Sequence, residues 1–192
     1  MSKAANLELI EVQNKLGKKL SPYRFQHSIG VQYTAAALAM KYNIDINKAL
    51  LAGLLHDCAK YLSGEEIYEK CVKYGIEITK EEEAQPHLLH GKLGAYYAKE
   101  KYGVTDEDIL NAITYHTTGR PNMSLLEKIL YIADYIEPNR KVISGLDEIR
   151  RYAFDDIDKA VVYKIKNMNG YLLSKDIKLE GISLDTYNYY IG

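Results

Sequence analysis

Helix-opening signals recur along this chain and hairpin signals do not, which restricts it to an all-α fold. Ser21-Pro22 sets a capping hydroxyl before a proline at the first helical position, opening a helix predicted to run to about Tyr42. Ser63 and Glu66 are spaced as a capping box, and so are Ser124 and Glu127. Thr105 to Asp108 offers a looser version of the same box. Between these starts, residues 46–62 carry Leu50, Leu51, Leu54, Leu55, Cys58 and Leu62 at three- and four-residue intervals, as an amphipathic helix requires. A last long helix is expected over 155–174, followed by an irregular tail from about 176.

The length, 192 residues, suits one domain spanning 1–192, with a motif-bearing core over about 21–140 and a C-terminal helix and tail over about 146–192. Apolar residues make up 47% of the chain, enough to bury a core. With 25 basic and 26 acidic residues the net charge is −1, so no nucleic-acid partner is expected, although a local basic pocket can hide inside a balanced total. Cys58 and Cys71 are too few for a disulfide framework and point to a reducing, cytoplasmic setting. Charges interrupt every apolar run of MSKAANLELIEVQNKLGKKL, so neither a signal peptide nor a membrane anchor is expected there.

Chemistry concentrates at a few polar residues on apolar helices. His56 and Asp57 sit together in LLHDCAK, where a carboxylate needs a charged partner or a metal. Asp134 in LYIADYIE has the same need. His27 shares a helix face with Val31, Thr34 and Leu38 and, taken singly, reads as a core histidine. His116 at its helix end would, taken singly, read as an electrostatic cap. His87 and His90 are one turn apart, and either could face inward.

The set His27, His56-Asp57, a histidine at 87 or 90, His116 and Asp134 resembles the HD-domain superfamily of metal-dependent phosphohydrolases. YRFQHSIGV, LLHDCAKYL, LLHGKLGA and AITYHTTGRPNMSLLEKILYIADYIEPNR together resemble its YqeK family, from about Tyr23 to Arg140, with a weaker echo in LDTYNYY. That resemblance implies a single HD-domain helical bundle that splits diadenosine tetraphosphate symmetrically into two ADP. It implies His27, His56, Asp57 and Asp134 as ligands of one metal, with Asp57, His90 and His116 on a second. His90 is favoured over His87 because the family pattern reads leucine-leucine-histidine-small residue.

Four imidazoles and two carboxylates without thiolate suit iron, manganese, cobalt, nickel or zinc, and the resemblance implies two divalent ions, iron before the others. Lys60 follows Asp57 by three residues and is expected on phosphate, as is Arg120 in HTTGRPNMS, both aiding catalysis beside Asp57. Thr117, Thr118 and Gly119 could offer hydroxyl and backbone donors, and Ser124 opens the next helix toward an anion. Arg140 is implied on nucleotide phosphate, and His27 and His90 border substrate as well as metal. Thr186 and Asn188 would close over the nucleotide, although Tyr187 stands where the family usually has arginine.

GRPNM is not the Gly-Tyr-Pro element of cyclic-dinucleotide phosphodiesterases. The phosphate-binding loops GxxxxGK and GxGxxG and the GxSxG elbow are also missing. Two other readings stay open: an HD-type hydrolase of other nucleotides, and a nucleotide-sensing module without turnover. A homodimer is open as well.

Overall fold

The computed structural model describes residues 3–141, 144–176, 179 and 181–192. These residues form helices α1 (Lys3–Gly17), α2 (Pro22–Lys41), α3 (Ile46–Leu55), α4 (Gly64–Lys73), α5 (Lys80–Ala84) and α6 (His90–Tyr102). The chain continues through α7 (Glu107–Tyr115), α8 (Leu125–Ile136), α9 (Leu146–Asp155), α10 (Ile157–Leu173) and α11 (Gly181–Ile191). A 3₁₀ turn over Pro86–Leu89 leads into α6, and no strand occurs among the described residues. None of these helices is long and apolar enough to cross a membrane.

Caps set most of the boundaries. Ser21 Oγ accepts the Arg24 amide, and complete capping boxes open α4 at Ser63 and α8 at Ser124. A further box at Thr79 and Glu82 opens α5. Three expectations are corrected. The cap of α7 is Asp106, whose carboxylate accepts the amides of Asp108 and Ile109, two and three residues on, so the helix opens one residue later than a Thr105 cap would open it. The helix expected over 46–62 ends at Leu55, where tighter bonds from Cys58 N to Leu55 O and from Lys60 N to Asp57 O turn the chain. The tail is helical over Gly181–Ile191, since Thr186 and Tyr190 anchor it to the 117–123 loop.

The core lies where α2 runs along α3 and α8, and α7 packs on α6, α3 and α8. Val31, Leu54, Ile113 and Leu130 are fully buried there. Truncating Leu54 or Leu130 to alanine would cost about 2–5 kcal/mol. Two glycines bring backbones together. A Cβ on Gly53 would lie 2.7 Å from Gln32 Cα, and one on Gly91 would strike the Thr114 carbonyl. Thus α3 closes on α2 beside His56, and α6 closes on α7 beside His90 and His116. C-terminal α10 covers α8 and α9.

Candidate metal centre

Three of the histidines stand at helix boundaries, and that position orients them. His56 and His116 are the C-caps of α3 and α7, and His90 is the first residue of α6. The last carbonyls of a helix have no partner within it. His56 Nδ1 donates to Gly53 O at 2.8 Å and His116 Nδ1 to Ile113 O at 2.7 Å. His90 Nδ1 donates likewise to His87 O at 2.5 Å, across the preceding 3₁₀ turn. A carbonyl can only accept, so each ring carries its proton on Nδ1 and presents an Nε2 lone pair, the tautomer a metal ligand needs.

His27, inside α2, is held differently. Its Nδ1 lies 3.1 Å from Oε1 of buried Glu137, at the C-cap of α8. The Asn139 amide fixes the other Glu137 oxygen at 2.7 Å. Gly30, one turn after His27, makes room for that carboxylate, since a Cβ there would collide with Glu137 Oε2.

The free nitrogens converge on the acids. Asp134 Oδ1 is 3.0 Å from His27 Nε2 and 3.7 Å from His56 Nε2. Asp57 divides its oxygens: Oδ2 is 3.6 Å from His56 Nε2 and 4.0 Å from His27 Nε2, whereas Oδ1 is 3.5 Å from both His90 and His116 Nε2. Two ligand groups result, His27-His56-Asp57 with Asp134 beside it, and Asp57-His90-His116. His90 and His116 face each other through Nε2 atoms 3.1 Å apart. With both Nδ1 positions protonated, those atoms are opposed lone pairs, and a shared cation turns that repulsion into attraction. The donor set therefore fits divalent metal.

Charge states agree with that fit. Burial pushes the pKa of His56 down to about 4 and that of His90 to about 3, so both rings are neutral at neutral pH. Burial alone would raise the pKa of Asp57, but His56, His116 and His90 hold it well below the usual carboxylate range. Asp134 is held down in the same way against burial, by His27, His56 and Arg140. For His27, burial opposes the proton, yet Asp134, Glu137 and Asp57 outweigh it and raise its pKa. Ionised carboxylates and neutral imidazoles are the forms that bind cations.

Above the two groups opens a cavity of about 420 Å³. Arg24, Lys60, Arg140, Lys141 and Lys164 line it, a concentration of positive charge the balanced net charge conceals. Arg24 Nη1 is 3.2 Å from Asp57 Oδ2, and Arg140 donates to the Asp134 carbonyl at 2.8 Å and to Oδ1 at 2.9 Å.

The HD domain family matches residues 24–139, the stretch that supplies His27, His56, Asp57, His90, His116 and Asp134. The chain belongs to the HD-domain family, in its YqeK branch.

Among similar HD-domain proteins, the symmetrical bis(5'-nucleosyl)-tetraphosphatase of Halalkalibacterium halodurans is 44% identical over 88% of this chain and 89% of its own. The protein of the same name from Bacillus subtilis is 40% identical over 91% and 93%. A crystal structure described as a predicted HD superfamily hydrolase involved in NAD metabolism, from Clostridium acetobutylicum, is 47% identical. It superposes with a TM-score of 0.90, covering 94% of this chain and 95% of that one.

Within this HD-domain site, His27, His56, Asp57, His90, His116 and Asp134 come together, while His87 contributes its carbonyl to the orientation of His90. Lys60 and Arg140 line the cavity, and burial lowers the Lys60 pKa. Thr117 does too, its hydroxyl 3.1 Å from His90 Nε2. Thr118 and Gly119 lie farther along the loop, outside that cavity lining, with Thr118 Oγ1 bonded to the Gly119 carbonyl. Arg120 is also off the cavity wall: its guanidinium makes a two-pronged pair with buried Glu127, at 2.6 and 2.8 Å. Thr186 is buried against Gly119 and bonds to Ile182 O, while Asn188 is exposed.

Sequence reasoning missed three residues. Arg24 precedes His27 by one helical turn, a spacing that could have drawn notice. Lys164 lies on the apolar side of α10 with Val161 and Ile165, where a buried lysine is itself a signal. Its Nζ donates to Tyr131 O at 2.6 Å and sits 3.3 Å from the Tyr131 ring centre, and burial pushes its pKa down to about 7. Glu137 left no local signal, because its partner His27 is remote in sequence.

Proposed function

We propose that this protein hydrolyses diadenosine tetraphosphate symmetrically to two ADP, with His27, His56, Asp57 and Asp134 holding one divalent cation and Asp57, His90 and His116 a second. The observation that carries the reading is the division of Asp57 between two histidine pairs, directly beneath a cavity lined by cations. The names of the most similar relatives agree with it. Iron suits the nitrogen-rich, thiolate-free donors, as do manganese, cobalt, nickel and zinc.

A bound cation pair supplies Lewis acidity and a nucleophilic oxygen at neutral pH. The chain's own work is positioning and charge compensation. Arg24 and Arg140, each tethered to a metal-facing carboxylate, present their remaining guanidinium donors to phosphate oxygens. Lys60 places an ammonium group on the same wall, where it offsets the charge that develops as the central anhydride breaks, and Lys164, with its pKa of about 7, adds a partly charged amine. Thr117 offers a hydroxyl beside His90. Arg120, engaged by Glu127, holds the loop that carries Thr117 and serves catalysis only through that loop. Buried, unpaired Cys58 and Cys71 fit work in the reducing cytoplasm.

The test is metal analysis of the purified protein joined to chromatography of its products. The expected result is bound transition metal and ADP as sole nucleotide product from diadenosine tetraphosphate. Equal amounts of ATP and AMP would overturn the symmetric cut. Binding without turnover under any of the five metals would favour a sensing module.

A further inference from the structure

Diadenosine tetraphosphate carries a nucleoside at each end, so a protein that cuts it at the centre must house two. A second cavity of about 420 Å³ adjoins the catalytic one. The two share Tyr135 and Met168, so one wall runs from the metal-facing acids into the neighbouring space. Along α10 that wall is a single helical face: Lys164 looks into the catalytic cavity, Asn167 and Met168 follow one turn later, and Tyr171 follows a turn beyond. The seven steps from Lys164 to Tyr171 rise about 10 Å. The order of side chains is cation, then amide and thioether, then an aromatic ring.

We infer that this second cavity, walled by Tyr135, Asn167, Met168 and Tyr171, is the subsite for one nucleoside of the substrate. The inference rests on the tetraphosphatase reading. Three features favour a nucleoside there. Tyr171 is 59% exposed, an aromatic ring left open at the rim where a base can stack. Asn167 Nδ2 donates to the Ser144 carbonyl at 3.0 Å, which fixes the orientation of the amide. Its Oδ1 then remains the acceptor for an exocyclic amino group, as adenine has. Gly170, on the same lining, has no atom of the described residues within 4 Å of where a Cβ would stand, so the space it borders is open among them.

Two variants test the subsite without touching the metal-facing residues or the cationic wall. Tyr171→Ala removes the stacking ring. Gly170→Leu fills the space while replacing a poor helix former with a good one, so a loss cannot be put down to a weakened helix. Each is measured for kcat and KM on diadenosine tetraphosphate, and for the Ki of inorganic tripolyphosphate as a competitive inhibitor lacking any nucleoside. The expected result is a KM raised about tenfold with kcat within about twofold, an unchanged tripolyphosphate Ki, and near-normal KM in Tyr171→Phe. An unchanged KM in both variants would overturn the subsite while leaving the enzyme assignment standing. Parallel weakening of substrate and tripolyphosphate would also overturn it, by placing the effect on phosphate binding. A wild-type protein that leaves diadenosine tetraphosphate intact would remove the functional reading and this subsite with it.

Discussion

The floor of the catalytic cavity and its walls are built on different terms. On the floor, His56, His90 and His116 each spend one nitrogen on a nearby backbone carbonyl, and His27 spends one on Glu137. Every ring is buried and has one orientation. On the walls, Lys60 and Lys141 end flexible stems, Lys164 is held by the Tyr131 carbonyl, and Arg24 and Arg140 are tethered to the floor acids. Placement of cations on the floor is thus written into backbone geometry, whereas substrate charge on the walls is met by side chains that can adapt.

If that contrast is right, damage to the floor should be severe and damage to the walls graded. Asp57→Ala removes the ligand both groups share, and should cost about a thousandfold or more in turnover together with bound metal, while the helical circular dichroism persists. Near-normal metal content in that variant would break the contrast outright. Glu137→Gln keeps the shape but weakens the hold on His27, and a fall of about tenfold or more in metal affinity is expected by equilibrium titration. Arg140→Ala should raise KM about tenfold with a smaller drop in kcat, read from steady-state kinetics.

A proton sharpens the comparison further. The raised pKa of His27 means that, without metal, the ring holds a proton as pH falls, and a cation must displace it. Apparent metal affinity should therefore climb as pH rises through the raised His27 pKa and level off above it. A flat or falling titration would show that His27 is not a ligand. The smallest effect concerns Lys164. Its folded pKa of about 7 lies below the usual value near 10 of an unfolded chain, so the unfolded state binds more protons between them. Stability should rise with pH across that window, and Lys164→Met should flatten the slope of denaturation midpoint against pH.

Legibility in the sequence followed the range of the interaction. The capping boxes at Ser63 and Ser124 involve neighbours three residues apart, and both form. His56, Asp57 and Asp134 stood out because a carboxylate or imidazole on an apolar face is costly without a partner, whereas His27, His90 and His116 were singled out by the family resemblance. The early end of α3 was hidden because Cys58 packs into the core across the turn as it would have on a continued helix, so apolar spacing alone could not show the break. Helix α11 was hidden because its hold is tertiary, through Thr186 on Gly119 and the Tyr190 hydroxyl on the Met123 amide. The pairing of Arg120 with Glu127 was hidden for a related reason, since the same carboxylate also completes the cap of α8.

Gly91 has a consequence for how freely this bundle can vary. Because it rests on the Thr114 carbonyl, α6 and α7 meet peptide to peptide immediately beside the imidazoles of His90 and His116. A gap set by two peptide groups does not widen or shrink when leucines and isoleucines elsewhere are exchanged. The interior can drift in composition while one dimension, the span between those two rings, keeps its value.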